Sequence, residues 1–98
     1  MGYINDKYGD CRVPTEWERQ KLCEMISWAF VEIDRLALNG ELERVTALTR
    51  AFHNLPQLLY SENFSMKYFR WFLEVYHSEY PKNETGGTFL AMLDRIQS

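Results

Sequence analysis

In this chain of 98 residues, the pair whose types and spacing come nearest to chemistry is Glu74 and His77. Three residues apart on a helix they share a face, where a carboxylate and an imidazole can hold one metal ion, as in di-iron carboxylate bundles. Such a centre uses two Glu-x-x-His pairs and two further glutamates. The chain has only one other histidine, His53, and no glutamate stands at the matching position before it. A solvated polar face is therefore the expectation for Glu74 and His77. Metal or small-ligand binding by Glu74, His77 and His53 is the alternative. His53, in Ala51-Phe52-His53-Asn54-Leu55-Pro56, stands where a helix should end, and an imidazole there serves to satisfy the last carbonyls. Cys11 and Cys23 lack zinc-ligand spacing, and Cys23 neighbours an apolar stripe, where a thiol is usually inert. Gly86-Gly87 has neither the spacing nor the lysine of a phosphate loop. No catalytic constellation is complete, so a non-enzyme without a cofactor is expected.

Glu74 and His77 belong to the stretch around which the chain is organised, Phe64 to Tyr80, which carries seven aromatic rings. At about 100° per residue, Met66, Phe69, Phe72, Leu73, Tyr76 and Tyr80 line one face of a helix, and Phe64, Tyr68, Trp71 and Val75 form a second stripe. Lys67, Arg70, Glu74, His77 and Ser78 are left in one narrow arc. Ser65 is placed to cap this helix, with a staple between Phe64 and Phe69, and Pro81 stops it.

An earlier helix should begin at a capping box, Thr15-Glu16-Trp17-Glu18, and run to about Leu38. Leu22, Ile26, Ala29, Phe30, Ile33, Leu36 and Ala37 form its expected core face. Trp28 and Val31 lie on the far side, with Glu24 and Arg35. Asn39-Gly40 supplies a left-handed stop, and the stripe Leu42, Val45, Leu48, Thr49, Phe52 opens at once, which implies an antiparallel hairpin of helices. Pro56 starts a short turn, whose Leu58, Leu59 and Tyr60 are expected to cap the core. Lys82 to Gly87 reads as a flexible linker. Beyond it a short last helix, begun by Thr85 or Thr88, carries Phe89, Leu90, Met92, Leu93 and Ile96. Residues 1–14 read as an irregular arm in which Tyr3, Ile4 and Tyr8 are conspicuous, and residues 15–98 as one domain.

Composition narrows the classes. With 46% hydrophobic, 26% charged and 15% aromatic residues, the chain is an ordinary globular protein with a ring-rich core. A net charge of −3 without a basic run argues against nucleic acid, and no apolar run reaches the roughly 18 residues of a membrane span. The basic and then apolar pattern of a signal peptide is missing at the N-terminus, so reduced thiols and a cytoplasmic location are expected.

The reading is an all-α fold: a small bundle of three long helices and a short C-terminal helix. Its expected role is a protein interaction module. The expected interface comprises Trp28, Val31, Phe64, Tyr68, Trp71 and Val75, because a chain this small has few elements with which to hide them. The expected partner is a second copy or another protein.

Overall fold

The computed structural model describes residues 9–97, and among them the regular elements are all helical. They are α1 (Glu16–Leu38), α2 (Leu42–Phe52), the single turn α3 (Leu55–Leu58), α4 (Met66–Glu79) and α5 (Glu84–Gln97). The all-α class is as expected. The last helix, though, is as long as the central one, 14 residues each, and begins earlier than its glycines suggested.

Local chemistry accounts for the boundaries. The capping box at α1 is complete: the Glu18 amide donates to Thr15 Oγ1 at 3.2 Å, and the Thr15 amide donates to Glu18 Oε1 at 2.8 Å. At the other end Gly40 takes a φ of 75°, with its amide on the Ala37 carbonyl and the Glu41 amide on that of Leu36, the Schellman pattern. That turn folds α2 back on α1. Ser65 caps α4 by accepting the Tyr68 amide at 3.0 Å. Asp10 joins this cap, since its carboxylate accepts the Ser65 hydroxyl and the Lys67 amide, a negative charge at the positive end of the helix dipole.

The arm is fastened where it is described. The Arg12 amide donates to the Phe64 carbonyl at 2.9 Å, and the Arg12 guanidinium grips Glu18 through both carboxylate oxygens at 2.7 and 2.6 Å. Tyr3, Ile4 and Tyr8 lie outside the described residues. Both cysteines of the chain are free thiols.

Helices α1 and α2 pair with each other, as do α4 and α5, and the two pairs meet through α2 with α4 and α1 with α5. The radius of gyration, 13.3 Å, is that of a chain of this length folded around one core. Phe52 stands at its centre, 5.3 Å from the Phe69 ring edge to face and 5.0 Å from Phe89. Leu22, Leu36, Leu48, Leu73 and Leu93 are wholly enclosed around it. Each such side chain contributes about 1.5–3 kcal/mol by leaving water.

Several expectations about burial change. On α2 the buried residues are Leu48, Ala51 and Phe52, while Leu42, 64% exposed, and Thr49 face water, each about 100° or more round the helix from Leu48. On α1 the core stripe is Leu22, Met25, Ala29 and Leu36, with Ile26 and Ile33 partly covered, while Phe30 is 64% exposed and Ala37 faces water. Phe30 and Ala37 each follow a core residue directly, and one step along a helix turns a side chain about 100° away. On either side of Pro56, Leu55 and Leu59 enter the core, but Tyr60 is exposed under the Arg19 guanidinium, 4.5 Å from its ring centre. Gly86 and Gly87, expected in a linker, lie in the first turn of α5. There α5 meets α4 so closely that a Cβ on Gly86 would come within 2.8 Å of His77 Cα and Cβ. Asn83 Oδ1 accepts the Thr85 amide at 3.0 Å and helps begin that helix.

Candidate functional site

The polar pair on α4 does not assemble into a centre. Glu74 is exposed, and His77 is half-buried under Gly86, with an enclosed Nδ1 that has no hydrogen-bond partner among the described residues. His53 is exposed at the end of α2, where its Nδ1 lies 3.2 Å from the Arg50 carbonyl, the capping use expected of it. Among the described residues no three His, Cys, Asp or Glu side chains converge on a point that could hold a metal ion. Cys11 borders a groove and Cys23 is exposed on α1.

The six apolar residues expected at an interface separate into three groups. Phe64 is a correction: it is 1% exposed and belongs to the core, because it precedes the helix, outside the helical period, and turns inward beneath the arm. Tyr68, Trp71 and Val75 do form a stripe on α4. Tyr68 and Val75 are half-buried there, and Trp71 is 42% exposed. The Tyr68 and Trp71 rings lie parallel at 6.1 Å, and Phe72 meets both edge to face at 4.9 and 5.0 Å, so much of this stripe is covered by its own rings. Beside it an apolar groove of about 430 Å³ has Leu55, Leu58, Phe64, Phe69 and Phe72 in its walls.

Trp28 and Val31 are different. They are 62% and 63% exposed on the outward face of α1, and Leu38, further along the same helix, is 81% exposed. Their position follows from how α1 is held. Leu22, Met25, Ala29 and Leu36 are drawn into the core; Val31 and Leu38 then point away from it, and Trp28, one step before Ala29 and so about 100° round the helix, stands on the flank. One flank of that outward face borders two clefts along the α1/α5 junction. Trp17, Lys21 and Glu24 line one of 260 Å³, and Trp28, Glu32 and Arg35 line one of 770 Å³; Met92 and Arg95 of α5 belong to both.

A polar network braces this region. Glu32 receives two bonds of 2.8 Å from Arg35 and one from the Thr85 hydroxyl, and lies 3.9 Å from Arg44 of α2. Arg44 in turn reaches Glu41 at 2.7 Å and the Tyr76 hydroxyl at 3.4 Å. The network thus links α1, α2, α4 and α5. Hydrogen bonding from Arg35, against the opposing cost of burial, holds the Glu32 carboxyl below its ordinary pKa, so it stays charged at neutral pH. Charge in the buried part of this network braces the helices, and the outer face of α1 carries Trp28, Val31 and Leu38 among the charged Lys21, Glu24 and Arg35.

Sequence reasoning expected Trp28 and Val31 to be exposed, as they are, but placed Phe30 in the core and took Leu38 only as the end of the helix. Leu38 was legible as the last residue before the Asn39-Gly40 stop, since a terminal leucine off the core stripe has nothing to bury it. Among the described residues no helix is long and apolar enough to cross a membrane. No family model matches the chain, and no characterised protein or solved structure matches it either.

Proposed function

We propose that this protein is a non-enzymatic helical interaction module that self-associates through the outward face of α1. The observation that supports the reading is the exposure of Trp28, 62%, beside Val31 on a helix that the core holds rigidly. A tryptophan carries about 150–250 Å² of surface. Covering the exposed part of Trp28 is favourable by about 3 kcal/mol at 25 cal/mol per Å², and a two-fold axis counts the gain twice. Tryptophan is also the residue most enriched among the anchors of protein interfaces. Two free thiols suit a reducing compartment such as the cytoplasm.

Size exclusion with light scattering tests the reading. The full chain at tens of micromolar should run as a dimer, and Trp28→Glu should convert it to a monomer with an unchanged circular dichroism spectrum. A wild-type monomer throughout that range overturns the proposal.

A further inference from the structure

Seven side chains away from the core on α1 share one regular spacing. Trp17, Lys21, Glu24, Trp28, Val31, Arg35 and Leu38 recur at alternating steps of four and three residues, the spacing of a coiled-coil seam. Every one of them is at least partly exposed, and Lys21, Glu24 and Arg35 extend half-exposed side chains. A seam of this spacing lets two helices lie along one another for many turns, because each turn returns a side chain to the same line.

The order of residues along the seam selects the partner. Reversed about the point between Ala29 and Phe30, the pattern complements itself. Trp28 then meets Val31 of the partner subunit, Glu24 meets Arg35 of the partner subunit, and Lys21 lays its aliphatic stem along Leu38 of the partner subunit. The two-fold axis repeats each pairing. The 18 residues from Lys21 to Leu38 cover about 27 Å of helix at 1.5 Å per residue. A parallel arrangement would instead set Glu24 against Glu24 and Arg35 against Arg35, and like charges in apposition are repelled.

From this geometry we infer that α1 pairs with α1 of a second copy in antiparallel register, with Trp28 and Val31 as the apolar centre and two Glu24–Arg35 ion pairs, one on each side, setting alignment. The inference rests on the self-association proposed above and adds the partner and the register. Arg35 already donates to Glu32 of its own chain through Nε and Nη2. Its fork carries five N–H donors, so it can serve both carboxylates.

Charge exchange tests the register in the full chain. Glu24→Arg and Arg35→Glu are made separately, checked by circular dichroism, and their dissociation constants measured by sedimentation. Each alone should weaken the dimer at least about tenfold, since the axis writes the repulsion twice. An equimolar mixture should form a heterodimer of near wild-type affinity, because both of its ion pairs are then restored. The chain carrying both substitutions should also dimerise like wild type. Arg35→Glu loses a bond to Glu32, so Glu24→Arg, on an exposed side chain outside that network, keeps the test valid if the other variant misfolds. A wild-type dimer that ignores Glu24→Arg overturns the register and leaves self-association standing. A mixture far tighter than wild type indicates parallel pairing and likewise overturns it. A wild-type monomer overturns both.

Discussion

Adjacent glycines in the first turn of α5 should respond to the same substitution with opposite signs. Alanine in place of glycine in a helix gains up to about 1 kcal/mol, by propensity and by narrowing the unfolded ensemble. At Gly87 nothing opposes that gain, since an added Cβ would meet only His77 Cε1 at 3.6 Å, an ordinary van der Waals contact. At Gly86 the added Cβ would lie 2.8 Å from both His77 Cα and His77 Cβ. One of those atoms is backbone, so no change of rotamer relieves the contact and α4 must move from α5 by most of an ångström. Overpacking of this kind costs about 1–3 kcal/mol, and it loosens the Phe89 and Leu93 packing behind it. We expect Gly86→Ala to lose about 1–2 kcal/mol net and Gly87→Ala to gain about 0.5–1 kcal/mol. In a domain of this size each kcal/mol moves the melting temperature by about 4–8 °C. Urea denaturation followed by circular dichroism separates the two variants readily. If Gly86→Ala is as stable as the wild type, the helices do not approach as closely as described, and the account of why glycine stands in this helix is wrong.

Two further outcomes follow from the core and from the arm. Phe69→Ala should cost about 3–5 kcal/mol in the same titration, as a buried ring touching Phe52, whereas Phe72→Ala, at a partly covered position, should cost clearly less; equal losses would contradict the assigned faces. Glu18 is held at a pKa of about 2, chiefly by its hydrogen bonds from Arg12, against an ordinary value of 4.5. A lowered folded-state pKa adds stability that is complete above pH 4.5 and is lost as pH falls towards 2. The contribution is about 1–2 kcal/mol, because the Arg12 side chain is half exposed and water screens the pair. Stability measured from pH 5 to 2 should therefore fall less steeply in Glu18→Gln than in the wild type. Parallel curves would remove the arm from the account of stability.

Local signals carried most of the helical architecture. Thr15 and Glu18, Asn39 and Gly40, Ser65 and Pro81 act on their own neighbours, so their effect on the chain can be read without knowing the rest of the molecule. The exposed face of α1 was legible in part for the same reason. Trp28 and Val31 fall off the stripe Leu22 to Ala37 that the sequence offers as a core face, and the structure leaves both exposed. The misread positions are those decided by contacts between distant residues. Phe64 is buried because the arm and α4 fold over it, with Arg12 bonded to its carbonyl and Asp10 holding the helix cap beside it.

The start of α5 makes the same point from the other side. Two successive glycines have low intrinsic helix propensity, so the sequence by itself points to a linker. Only a neighbouring helix that needs close approach, here α4 at His77, makes the missing side chains favourable within α5. The stripe on α1 completes the division. Its steps of four and three from Trp17 to Leu38 are written in the order of residues, but any long helix has several such stripes and nothing local says which one faces out. Leu22, Met25, Ala29 and Leu36 decide that by packing with residues from α2, α3 and α5. Apart from the start of α5, helix limits are set by short-range hydrogen bonding that the sequence itself carries; the choice of buried face is a competition for one shared core, which only the tertiary structure resolves.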